Sequence, residues 1–98
     1  MSEIDFPDVF QAELDRDTLA QLFADLAAHA TVLEIREKAS ARARGGVAEL
    51  SLAEARERLE RGDVRAIQIR YRHDGSLWMD TLMKGPSLVR LVRTRVER

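Results

Sequence analysis

The chain contains no cysteine, and this absence removes several kinds of chemistry at once. Disulfides, thiolate nucleophiles, iron–sulfur clusters and the common structural zinc sites all need cysteine side chains. Small secreted domains usually depend on disulfides, so a reducing compartment is the expected location. The N-terminus, Met1-Ser2-Glu3-Ile4-Asp5, is acidic and lacks the apolar stretch of a signal peptide. No apolar run approaches the roughly 20 residues that span a bilayer. We therefore expect a soluble, cytoplasmic protein with no membrane partner.

The sequence also lacks the motifs of catalysis and of cofactor binding. Its two histidines, His29 and His73, have no second metal ligand at a useful spacing. The pair Gly45-Gly46 lacks the lysine and hydroxyl of a phosphate-binding loop. His73, Asp74 and Ser76 are the residue types of a catalytic triad, but one tight turn cannot aim them at each other. We predict no metal, no cofactor and no enzymatic activity.

The charges are unevenly distributed along the 98 residues, a length that suits one domain. Residues 1–30 carry a net charge of −6, residues 31–62 of +1 and residues 63–98 of +4. An acidic segment could lie against a basic sheet within one molecule, or a basic surface could remain open for a partner. Arginine outnumbers lysine fourteen to two. This ratio is typical of a GC-rich bacterial genome, or it reflects bidentate recognition of carboxylate or phosphate.

In the first half of the chain, the spacing of apolar and charged residues predicts an arm, a helix and an edge strand. Residues 1–14 indicate an acidic arm with some apolar residues, and residues 15–98 a single domain. Asp15 or Asp17 can cap a helix whose apolar residues recur every three or four positions. Period-two alternation over Thr31–Glu37 predicts an edge strand, where charged side chains discourage pairing with other molecules. Residues 38–48 have no apolar periodicity and predict a mobile loop.

A second helix and three strands follow. Ser51 and Glu54 have the spacing of a capping box, and Gly62 is a suitable residue to end the helix. The Asp74-Gly75 pair predicts a type I′ hairpin turn, because glycine and aspartate accept the positive φ that this turn needs. The predicted strands are Val64–Arg72, Leu77–Met83 and Leu88–Val96. The expected fold is α+β, in the order α-β-α-β-β-β: two helices pack on one face of a four-stranded mixed or antiparallel sheet that ends in a three-stranded meander.

The predicted hairpin register assigns side chains to the two faces of the sheet. It pairs Tyr71 with Trp78 on the face beneath the helices, and it places Asp80 among the apolar residues of that face. A carboxylate there must be paired, hydrogen-bonded or protonated, so Asp80 is either a structural group or a polar site. The third strand adds either Arg90 with Val92, or Arg93 with Arg95, to the opposite face. We predict a partner-binding surface on that opposite face from Gln68, Arg70, Arg72, Met79, Thr81, Arg93 and Arg95.

The sequence is compatible with three functions. The first is a non-catalytic interaction domain that binds an acidic protein partner, or a second copy of itself, through the arginine-bearing face. The second is a nucleic-acid-binding accessory domain, which the net charge of −1 and the lack of aromatic residues on that face disfavour. The third is a small-molecule binder or minor enzyme centred on Asp80, with Arg70 or Arg93 holding an anion.

Overall fold

The structure is a computed structural model, and it describes residues 9–38 and 50–97. The predicted α+β class is confirmed: two helices accompany one antiparallel sheet. The predicted mobile loop lies outside the described residues, except for its first residue, which ends a strand. The elements in chain order are β1 (Val9–Leu14), α1 (Arg16–His29), β2 (Thr31–Lys38), α2 (Leu52–Arg61), β3 (Ala66–His73), β4 (Ser76–Lys84) and β5 (Val89–Glu97).

The sheet has five strands rather than the predicted four, and its order is β1-β5-β4-β3-β2. The additional strand is β1, which comes from the segment predicted to be an arm and pairs antiparallel with β5. The four neighbouring pairs that build the sheet are antiparallel, so the mixed alternative is wrong. The prediction that β2 is an edge strand is confirmed, and β1 forms the other edge.

Local signals fix both helices. The Asp15 side chain caps α1 by accepting a hydrogen bond from the Thr18 amide at 2.8 Å, and this bond lowers the pKa of Asp15. The predicted capping box of α2 is present: the Ser51 hydroxyl accepts from the Glu54 amide, and the Glu54 carboxylate accepts from the Ser51 amide. Gly62 ends α2 at φ 79°, in the left-handed region that glycine adopts without strain.

We expect the substitution Ser51→Ala to lower the free energy of unfolding by about 1 kcal/mol, because it leaves an amide at the start of α2 without its acceptor. Urea unfolding followed by circular dichroism measures the change. Ser87→Ala, at an exposed position in the turn before β5, is the control and should alter stability by less than about 0.5 kcal/mol. Equal losses in the two variants would contradict the assigned cap.

The β3–β4 hairpin has the predicted register. Tyr71 pairs with Trp78, and Ile69 pairs with Asp80. Asp74 and Gly75 have φ values of 52° and 80°, as a type I′ turn requires. Because neighbours across antiparallel strands point to the same side, this register decides which residues share a face of the sheet.

Both helices cover the same face of the sheet. Their buried side chains, Leu19, Phe23 and Leu26 of α1 with Ala55 and Leu59 of α2, pack in one cluster with alternate residues of the strands. Neither of the two described helices covers the opposite face. The strand residues of the core are Leu14, Ile35, Ile67, Ile69, Tyr71, Leu82, Val89 and Leu91.

Candidate functional site

We call the side of the sheet opposite the two described helices the open face. Register places five of the predicted binding residues on it, and the central strand contributes half-buried Met79 and Thr81. Of the two options for β5 that the sequence left open, the structure has the first: Arg90 and Val92 lie on this face. The strand residues that register assigns to the open face include Val9, Gln11, Glu13, Thr31, Glu34, Arg36, Ala66, Gln68, Arg70, Arg72, Leu77, Met79, Thr81, Met83, Arg90, Val92 and Thr94.

Charge on the open face is concentrated where β2 and β3 meet. Glu34 lies between two arginines, 3.1 Å from Nε of Arg36 and 3.4 Å from Nη1 of Arg70. Arg72 is exposed on the same strand as Arg70, and no described residue forms an ion pair with it. A depression of about 200 Å³ lies in this region, lined in part by Gln68. The region therefore has more positive than negative groups in reach of a partner.

Two of the predicted binding residues, Arg93 and Arg95, do not lie on the open face. That placement is wrong, because Arg93 pairs in register with Asp80 and Arg95 with Trp78, both on the helix-covered face. The Arg95 guanidinium lies 5.5 Å from the centre of the Trp78 ring, within the range of a cation–π contact. The two arginines therefore belong to the layer between the sheet and the helices.

Asp80 is fully buried and accepts three hydrogen bonds. The Arg93 guanidinium donates through Nε to Oδ1 and through Nη2 to Oδ2, each at 2.8 Å. The Tyr71 hydroxyl donates to Oδ1 at 2.9 Å. A buried charge needs this degree of pairing, because an uncompensated carboxylate in an apolar interior is costly. The structure therefore favours the interpretation of Asp80 as a group that fixes its neighbours.

The surroundings of Tyr71 and Arg93 keep these two groups in their usual protonation states at neutral pH. Burial raises the pKa of Tyr71 well above its usual value, and the negative charge of Asp80 raises it further. The hydrogen bond to Asp80 raises the pKa of Arg93 above its usual value. Tyr71 consequently remains a phenol that donates a hydrogen bond, and Arg93 remains a cation. This arrangement suits the positioning of a guanidinium rather than proton transfer.

A cavity of about 390 Å³ lies next to Arg93, between the C-terminal half of α1 and the sheet. Tyr71 also lines this cavity, together with the two histidines that the sequence left without a role. Nδ1 of His73 lies 3.2 Å from the backbone carbonyl oxygen of His29 and donates to it. This contact joins the end of β3 to the end of α1, so it helps to define the shape of the cavity.

Among the described residues, no three histidine, aspartate or glutamate side chains cluster closely enough to hold a metal ion. Within the same ranges, neither helix combines the length and the apolar character needed to cross a bilayer. Comparisons of the chain with protein-family models, with curated proteins and with solved structures give no match in any of the three. The interpretation of function consequently depends on the residues and their geometry.

Proposed function

We propose that the protein is a small, non-catalytic interaction domain that binds an acidic segment of a partner protein on the open face. The observation that carries this proposal is the group of arginines that β2 and β3 place on the open face. Arg36, Arg70 and Arg72 lie there with Glu34 as the one described acidic residue beside them. Arginine suits such a role because its planar guanidinium donates two parallel hydrogen bonds to a carboxylate.

The existing ion pairs on the open face leave room for a partner. The Arg70–Glu34 pair is exposed, with 46% and 34% of the two side chains accessible. Exposed pairs of this kind contribute only about 0–1 kcal/mol, so a partner's carboxylate can replace Glu34 at little cost. Next to this group, Met79, Thr81 and Val92 offer a neutral, half-buried strip of surface. A partner with alternating acidic and apolar residues would match both parts.

Two other partners fit the open face less well. Single-stranded nucleic acid binds to exposed aromatic side chains on which bases stack. In the described part of the chain, the open face has no aromatic residue, and Tyr71 and Trp78 lie on the helix-covered side. A second copy of the chain would bring like-charged arginine groups to the same interface, because a twofold interface uses the same surface on both copies.

The test is a titration of the ¹⁵N-labelled protein with a short synthetic peptide of alternating glutamate and valine. We expect chemical-shift changes at Arg70, Arg72 and their neighbours on the open face. The double substitution Arg70→Glu and Arg72→Glu should weaken binding by at least about tenfold, because it replaces attraction by repulsion at exposed contacts of up to about 1 kcal/mol each. Added salt should also weaken binding, since exposed charges are screened.

The matched control replaces two exposed arginines of the helices, Arg16 and Arg61, by glutamate. This variant has the same net charge as the open-face variant and should bind the peptide like the wild-type protein. If both variants bind the peptide equally weakly, the loss of affinity arises from the change in net charge, and the proposed site is refuted. Shift changes confined to the helix-covered side would refute it as well. A gel shift with single- or double-stranded DNA that the open-face variant abolishes, without peptide binding, would favour nucleic acid.

A further inference from the structure

The cavity beside Arg93 is separate from the open face, because it lies on the helix-covered side of the sheet. Its walls differ in character. Leu22, Leu26 and Ala30 of the α1 segment give it an apolar side, and Arg93 and Tyr71 of the sheet give it a polar side. Ligand sites of proteins commonly combine a mostly apolar wall with a few polar groups that set orientation. At about 390 Å³, this cavity falls in the size range of small-molecule sites, about 300–1,000 Å³.

Arg93 is the charged group that the structure holds most firmly at this cavity. Its Nε and Nη2 are committed to the fully buried Asp80, which fixes the plane of the guanidinium. Nη1 takes no part in that bidentate pair, and 30% of the Arg93 side chain is accessible. A guanidinium whose orientation is fixed before binding loses little conformational entropy when it takes a ligand. Arg93 is therefore a preorganised donor in the wall of a partly apolar cavity.

The other charged groups of the cavity have weaker effects on a ligand. Asp25 is exposed and accepts a hydrogen bond from Nε2 of Gln21 at 2.9 Å. His29 is also exposed, and Nδ1 of His73 already donates a hydrogen bond to the backbone carbonyl oxygen of His29. Solvent screens charges at the exposed rim much more than a half-buried guanidinium. The group that decides ligand charge is consequently Arg93.

We propose that this cavity binds a small organic monocarboxylate, whose carboxylate accepts hydrogen bonds from Arg93 and whose apolar body lies against Leu22, Leu26 and Ala30. A carboxylate is the group whose geometry matches a guanidinium, and the opposite wall suits a short hydrocarbon chain. Asp80 serves as the positioning residue for Arg93. The ligand site would thus depend on the same ion pair that holds β4 to β5.

The experiment titrates the ¹⁵N-labelled protein with 4-methylpentanoate and with its uncharged analogue 4-methylpentanamide. Acetate is included as a carboxylate without the apolar body. We expect saturable shift changes at Leu26, Ala30 and Arg93 with 4-methylpentanoate. The amide should bind about tenfold more weakly, because a charge-assisted hydrogen bond is stronger than the neutral bond that replaces it. Acetate should also bind more weakly, because it cannot reach the apolar wall.

A variant that fills the cavity tests the site without disturbing the buried ion pair. Ala30 follows α1 in an extended conformation and is partly buried, so Ala30→Leu places extra volume in the cavity wall. Ala27→Leu, at an exposed position of α1, is the matched control. We expect Ala30→Leu to lose binding and Ala27→Leu to retain it, with thermal unfolding showing that both variants are folded. If Ala30→Leu fails to fold, Leu22→Phe takes its place.

Three results would each overturn the proposal. The first is the absence of saturable shift changes with 4-methylpentanoate. The second is equal affinity for the amide and the carboxylate, which would remove Arg93 as the recognition group. The third is unchanged binding by a folded cavity-filling variant. Because the peptide titration reports on the open face and this one on the helix-covered face, failure of either proposal leaves the other standing.

Discussion

Replacement of Arg93 by methionine is expected to lower the free energy of unfolding by about 3–5 kcal/mol, because it leaves a buried carboxylate without its counter-ion. Asp80 is fully inaccessible to solvent and would keep only the hydrogen bond from Tyr71. The expected loss is a large part of the total stability of a domain, which is typically about 5–15 kcal/mol. Urea unfolding, followed by the fluorescence of the single tryptophan, measures it.

Two further variants distinguish the effect of losing the Arg93–Asp80 ion pair from the effect of removing any arginine. Arg90→Met lies on the same strand and breaks an exposed pair with Glu13, whose atoms are 3.7 Å apart, so it should cost no more than about 1 kcal/mol. Asp80→Asn added to Arg93→Met should recover part of the loss, because the amide is neutral and still accepts from Tyr71. An Arg93→Met variant as stable as Arg90→Met would show that the buried pair does not stabilise the fold.

The second large effect is expected in alkaline solution. The pKa of Tyr71 is raised in the folded protein by burial and by Asp80, whereas the unfolded chain has the ordinary value near 10. Above that value the unfolded state loses the phenolic proton while the folded state keeps it, so stability falls as the pH rises. The expected decrease is about 1.4 kcal/mol for each pH unit, until the pH reaches the folded-state pKa.

The chain contains one tyrosine, so ultraviolet absorbance of the phenolate reports this titration directly. We expect no phenolate signal in the folded protein at pH 11, and an immediate signal when urea is added at that pH. Tyr71→Phe is the control: its stability should lack the part of the alkaline decline that the wild-type protein shows. A phenolate signal that rises near pH 10 in the folded protein would contradict the buried hydrogen bond to Asp80.

Local signals explain why part of the fold could be predicted from the sequence. The Asp74-Gly75 turn sets the hairpin register by backbone geometry alone, so the sequence predicts the correct face for Tyr71, Trp78 and Asp80. The capping box at Ser51 and the terminating Gly62 are also local. In each case, residues a few positions apart decide the conformation, and the rest of the chain has little influence.

The errors concern features that depend on distant residues. In β1, Phe10, Ala12 and Leu14 alternate with Gln11 and Glu13, but the strand has only six residues and nothing local identifies β5 as its partner. The face of Arg93 was ambiguous because arginine occurs on both sides of β5, at Arg90 and at Arg95. The missed signal was Asp80 itself: a carboxylate predicted to be buried requires a cation on a neighbouring strand. The register then leaves Arg93 as its partner in the pair.

The pairing of β1 with β5 brings together two strands from opposite ends of the described chain, with Val9 opposite Thr94. During synthesis on the ribosome, β1 emerges before the other described strands, and its hydrogen-bonding partner exists only once β5 has been made. Phe10, which remains 51% exposed even in the finished sheet, is uncovered throughout that interval. Contacts of such long sequence separation slow folding, since the loop must close before the contact forms. The nascent chain should therefore be most prone to aggregation in the interval before β5 has been made.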